Sequence, residues 1–354
     1  MADLSGLSFG YLAKIEQGEC PVTKRSTLEA IANALRVSPT ELTGTPYAPV
    51  DPLNSETHAA LLAVETALET YDLGTDPEVA ARPWPEIATA VAHLNEVLRP
   101  EADYVAQSET VPGLLADLHA TFTHDPEHRA DALIGLIYTY RSAAVICKNL
   151  GVRGLPLLAT RLAQVCAEEL GRPEWLGYAA YLRGIMGGPQ NRSQQYTLSV
   201  RAIDHLDSDV SESNVKQVVG TLHLNAALAA AAQGDAERTY DHLDEAADLA
   251  SRLNDEQNNF GGLYFGRINV GFWRISLGAE LGEGAKLAEV ARNVRPQTIP
   301  LKSWQGTFYA DLGRTLAVER PTRERGIATC RAPRRSHRSS FGTMCSSGKQ
   351  SPIC

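Results

Sequence analysis

The sequence predicts an all-α chain, with a short helix-turn-helix element at its amino terminus and a long body of stacked helical hairpins behind it. Three observations lead there. Apolar residues recur at helical spacing through most of the 354 residues. No alternating run marks a strand. Turns return about every forty residues through the body, the mark of a repeated two-helix unit.

The first element is GLSFGYLAKIEQGE followed by STLEAIANALRVSPTEL, from Gly6 to Leu42, within a domain over residues 1–44. Ser8 caps a helix reaching about Gln17, because its hydroxyl can accept from a free first-turn amide, and Gly18 takes the left-handed stop. Leu12 and Ile15 face inward, with Tyr11 beside them. Ser26 or Thr27 starts the next helix, with Leu28, Ile31, Ala32 and Leu35 along one face. Ser38-Pro39 opens a third, where proline is tolerated in the first turn, and Leu42 points back inward.

Residues 45–56, centred on TGTPYAPVDPLNSE, carry three prolines without periodicity and read as a linker. A helical body over 57–325 follows, with helices expected over Thr57–Tyr71, Pro85–Leu98, Val111–Thr123, Arg129–Leu150, Leu155–Leu170, Pro173–Met186, Arg192–Leu206 and Val215–Gln233. In PEWLGYAAYLRG, bulky Trp175, Leu176 and Tyr178 stand beside small residues, as packed hairpins require. A clearer hairpin is LHLNAALAAAAQGDAERTYDHLDEAADLA, turning at Gly234-Asp235, with Leu243, Ala246, Ala247 and Leu249 on its second helix. Another spans GRINVGFWRISLGAELGEGAKLAEVA, with its turn expected near Leu277-Gly278, and a last one begins at Ser303 with WQGTFYADLGRTLA.

From about Arg320 the composition turns Arg-, Ser- and Cys-rich, so residues 326–354 are expected to be an irregular basic tail, read out of frame. That tail masks an asymmetry. The net charge of −9 includes eight bases and one acid over 320–354, leaving 25 bases against 41 acids over 1–319. An acidic body repels phosphate, so any contact with nucleic acid must be local. In the first 45 residues, Lys14, Lys24, Arg25 and Arg36 nearly balance Asp3, Glu16, Glu19, Glu29 and Glu41.

No stretch of eighteen apolar residues and no charged-then-apolar leader stands in the sequence, so a cytoplasmic chain without a membrane partner is expected. Cys20, Cys147, Cys166, Cys330, Cys345 and Cys354 lack metal-type spacing and read as thiols. His119, His124 and His128 lie in HATFTHDPEH, where Asp125-Pro126 breaks the helix between the last two, which argues against a metal site. Neither a Gly-rich phosphate loop after a strand nor a Ser–His–Asp grouping stands out, so no enzyme and no cofactor is expected.

YLAKIEQGE and TLEAIANALRVSPTEL resemble the recognition helix and the last two helices of XRE-family (phage-repressor-like) helix-turn-helix regulators. The hairpins, with GVRGLPLLATRLAQVCAEELGRPEWLGYAAYLRG, are similar to the tetratricopeptide-like body of long actinobacterial members of that family. Family members place two further helices before the turn, where this sequence has only Met1 to Ser5. The element is therefore partial, which points to a late start or a truncation and deprives Leu12, Ile15, Ile31 and Leu35 of packing partners unless the body supplies them.

The resemblance implies a sequence-specific regulator binding double-stranded operator DNA as a homodimer. Ser8, Phe9 and Gly10 would face base edges, Lys14 a base or phosphate, and Lys24 and Arg25 phosphates. The body would dimerise and sense a peptide, protein or small-molecule effector in its groove, for which Asn225, Tyr264, Arg267, Asn269 and Arg274 are candidates, or else residues paired within the stack. The alternative is a helical-repeat scaffold that binds a partner protein or peptide and no DNA.

Overall fold

The computed structural model describes residues 2–22, 24–35, 42, 52–150, 152, 154–187, 191–206, 210–253, 259–318 and 322–336. The architecture is all-α, with no strand among the described residues. The amino-terminal element comprises α1 (Ala2–Ser5), α2 (Phe9–Glu16) and α3 (Arg25–Leu35). Of the expected third helix only Leu42 falls within the described residues; it is helical but exposed rather than turned inward.

The body starts with α4 (Pro52–Thr70), which begins inside the expected linker because Pro52 serves as a first-turn residue. Next, α5 (Trp84–His93) runs on through a π-helical turn at Leu94–Leu98 into Arg99–Glu101. Helix α6 (Tyr104–His124) starts seven residues before the expected Val111, because the Asp103 carboxylate caps it by accepting from the Ala106 amide at 3.1 Å and the helix continues through Pro112. Then come α7 (Arg129–Asn149), α8 (Leu155–Leu170), α9 (Pro173–Met186), α10 (Arg192–Leu206), α11 (Ser213–Ala232) and α12 (Ala236–Ser251), all within two residues of the expected bounds.

Helix α13 (Arg267–Leu281) corrects another expectation. Leu277-Gly278 is not a turn: Gly278 lies inside the helix, where an added Cβ would stand 2.6 Å from Leu287 Cδ2. The glycine provides close approach to the short α14 (Leu287–Arg292), and the chain reverses at Gly282 instead. After α15 (Lys302–Val318), residues 323–336 form α16 (Arg323–Ser336) where an irregular tail was expected. Buried Gly326 brings α16 onto α15, since a Cβ there would fall 2.5 Å from the Ala317 nitrogen. Residues 337–354 lie outside the described residues.

From α5 onward consecutive helices pack as neighbours, α4 lies on α6, and α9, α11, α13 and α15 also touch next-but-one, which stacks the odd-numbered helices into one layer. Residues Arg99–Glu101 reach across to α15, where Lys302 pairs with Glu101, so an early segment of the body meets a late one. One large core runs from α4 to α13, and a smaller one joins Phe272 and Ile275 to Ile299, Leu301 and Phe308. The small residues of PEWLGYAAYLRG serve this packing: a Cβ on Gly177 would be 2.5 Å from Leu206 and 2.6 Å from Val218. Helix α7 is long and apolar enough to span a membrane, yet 72% of its apolar window is buried inside the fold. Burial also pushes the Cys147 and Cys166 thiols up to about 12, which makes them inert core residues rather than reactive ones.

Candidate nucleic-acid interface and a buried arginine pair

The cap expected at Ser8 is present: its hydroxyl accepts from the Tyr11 amide at 3.3 Å, and Gly18 ends the turn at φ +73°. This leaves the start of α2 in solvent. Ser8, Gly10 and Lys14 are exposed, and Phe9 is 79% exposed. Lys24 is also exposed, with its amine beside Gly282 of the body, while the Arg25 side chain lies outside the described residues. Leu12, Ile31 and Ala32 are buried, whereas Leu35, expected on the same inward face, stays 42% exposed.

The body supports this element at two points. Buried Glu280, on α13, accepts from the Ser26 amide at 2.9 Å and so caps the start of α3. On α10, Arg192 donates to Glu29 at 2.7 Å, in a pair whose side chains are both only 15% exposed. Free amides at a helix start are the groups that would hold a phosphate. Glu280 therefore fills the free-amide position at the start of α3 with a side chain of the body.

The groove candidates part ways. Asn225 is fully buried, accepts from Gln195 at 2.6 Å and donates to Ser199 at 2.9 Å, which ties α11 to α10 from within the core. Asn269 is buried as well. Arg267 donates to the Ser251 carbonyl, and Arg274 stacks 4.3 Å over the Tyr240 ring and pairs with Glu283 at 3.7 Å. Tyr264 alone borders a cavity, and it precedes α13 rather than lying on it. The three histidines set aside for metal go to separate partners: His119 to the Tyr140 hydroxyl at 2.8 Å, His124 to Asp76 at 3.0 Å and His128 to Asp125 at 2.8 Å.

What sequence reasoning missed is a pair of arginines in the middle of the body. Arg141, on α7 and 3% exposed, donates through Nη1 to the Tyr178 hydroxyl and the Gly261 carbonyl, both at 2.7 Å, and through Nη2 to Asn95. Arg99 donates to the Gly262 carbonyl at 2.8 Å and lies 5.7 Å from the Tyr264 ring centre. Gly261 and Gly262 take φ +59° and +65°, and a Cβ on them would stand 2.6 Å from Tyr178 and 2.5 Å from Arg99 Nη1. Only glycines allow this approach. Burial, reinforced by the charge of Arg141, pulls the Arg99 guanidinium down to about 10, while burial pushes Tyr138 and Tyr181 up to about 12. At neutral pH Arg99 is cationic and these tyrosines neutral. The signal in the sequence was an arginine inside the otherwise apolar run ALIGLIYTYRSAAVIC.

Comparison with protein-family models, curated proteins and solved structures gives no match. Function therefore has to be argued from the residues themselves.

Proposed function

We propose that the chain is a sequence-specific DNA-binding transcriptional regulator, cytoplasmic and dimeric, whose helical-repeat body controls the amino-terminal element in response to an effector. The carrying observation is the start of α2: a capped helix end presenting Ser8, Phe9 and Gly10 to solvent, with Lys14 one turn behind. The resemblance of this stretch to XRE-family recognition helices supports the same reading. Phe9 offers an apolar contact for a thymine methyl, whereas neither it nor Gly10 can make the bidentate hydrogen bonds that discriminate bases most strongly. Specificity would then be modest for each monomer, and a dimer would recover it by spanning two half-sites about 34 Å apart.

The contacts of Glu280 and Arg192 with α3 give the body a means of control. Reading DNA requires freeing the start of α3 from a carboxylate that competes with phosphate, and an effector that shifts α13 against α10 would do so. The test is titration of labelled upstream DNA from the chain's own gene at several salt concentrations. Sequence-dependent binding with a negative salt slope supports the reading, and no retention at low salt overturns it.

A scaffold without DNA binding is favoured by one observation, the docking of α3 on the body by Glu280 and Arg192. It predicts that removing residues 1–50 leaves capture of a partner protein intact.

A further inference from the structure

The two arginines sit on the wall of a cavity of about 150 Å³ that is bordered by Tyr104, Ser142, Tyr181 and Trp304 among others. Three residues on its wall each carry a buried donor without a hydrogen-bond partner: Arg99 Nη1, Arg141 Nε and Ser142 Oγ, with Ser142 only 2% exposed. Among the described residues no carboxylate lines this cavity. Glu96 and Asp131 border a second cavity that both arginines also line, and neither carboxylate forms an ion pair with them.

Two adjacent guanidiniums, one buried and one half-buried, without an ion-pair partner are costly to keep, because desolvation disfavours charge there and like charges repel. The bonds to the Gly261 and Gly262 carbonyls, Tyr178 and Asn95 fix both guanidiniums in place but supply no negative charge. Residues that line a cavity and carry unsatisfied donors are suited to an oxyanion. The rest of that wall is apolar or aromatic, with Leu182, Ile185, Met186, Leu263 and Leu301. A cavity of this volume admits a body about the size of benzene and excludes a nucleotide or a folded peptide.

We propose that this cavity binds a small organic oxyanion, a carboxylate or a phosphate monoester carried on a body no larger than one ring, held by Arg99, Arg141 and Ser142. Its walls come from α6, α7, α9 and the start of α15, so an occupant would tie the early and late parts of the odd-helix layer together. The site stands on its own geometry; its role as the effector site rests on the proposed function above.

Calorimetric titration of the full chain with benzoate, phenyl phosphate and uncharged benzyl alcohol tests it, with no DNA present, so that failure here and failure of the DNA reading are distinguishable. Expected is one-to-one binding of benzoate or phenyl phosphate at millimolar affinity or better, with benzyl alcohol at least about tenfold weaker. Which anion binds more tightly tells the carboxylate from the phosphate. Arg99→Met should lower the affinity of that anion by about tenfold or more, and Ser142→Ala, a smaller change that leaves both guanidiniums in place, by a few-fold. The proposal is overturned if neither anion binds, if benzyl alcohol binds as well as they do, or if the alanine variant and a folded methionine variant both bind unchanged.

Discussion

Acid should unfold this protein well above the pH at which its carboxylates protonate, because two histidines are held neutral in the core. His119 is almost fully buried, stacks on Tyr71 and shares its Nε2 with the Tyr140 hydroxyl. His223 meets His242 nitrogen to nitrogen at 2.9 Å, and His242 in turn meets the Tyr196 hydroxyl. Burial brings both His119 and His223 down to about 4, the neighbouring His242 adding to the effect on His223 and Asp72 opposing it on His119. In the unfolded chain each returns to its ordinary value near 6.5. Between those values the unfolded state binds more protons, so stability falls as pH falls. The loss begins near pH 6.5 and is complete near pH 4. Integrating the linkage from about pH 7.5 to about pH 5 gives roughly 2 kcal/mol for each histidine, on the order of 4 kcal/mol together. Glu283, whose carboxyl burial pushes up, works in the opposite sense and offsets a little of this. Urea denaturation followed by circular dichroism at a series of pH values reads the effect, and His119→Gln should remove about half of the slope whatever it does to absolute stability. A stability that stays flat from pH 7.5 to 5, or an unchanged slope in the variant, would refute the reasoning.

Other substitutions test the remaining arguments. Glu280→Gln weakens the cap on α3 and removes a charge that competes with phosphate, so protease cleavage within residues 25–35 should quicken and DNA retention should rise several-fold, as read by limited proteolysis and gel shift. Phe9→Ala, at a side chain in open solvent, should leave the urea midpoint within about 0.5 kcal/mol while weakening operator binding; unchanged binding would count against α2 as the reading helix. Gly220→Ala would place a methyl 1.9 Å from Phe265 Cζ and should cost about 1–3 kcal/mol in chemical denaturation.

The body was legible where local chemistry and packing agree. Helices α8 and α9 are bounded where the sequence punctuates them, with left-handed Gly154 before α8, left-handed Gly171 after it and Pro173 opening α9. Reading failed where a tertiary partner decided. Pro112 looks like a helix start until Asp103 is seen to cap the turns before it, and Gly278 looks like a turn until Leu287 is found against it. Composition misled over residues 323–336, where arginine-rich sequence forms a helix against α15. Of the candidate interface, the capped start of α2 could be read directly, since Ser8 and the amide that donates to it are three residues apart. Its support could not, because Glu280 stands 254 residues from Ser26. The arginine pair was hidden for the same reason. Arg141 is conspicuous in its helix, but nothing local says that Arg99 and a Gly-Gly turn 120 residues further on will meet it.

That separation also sets an order of events during synthesis. The amino-terminal helices leave the ribosome first, yet the carboxylate that caps α3 is made 254 residues later. At ~5–20 residues per second, the interval is roughly 13 to 50 seconds. Throughout it, the first amides of α3 are without the carboxylate that caps them in the folded chain, so the nascent chain presents this helix uncapped long before its body can hold it.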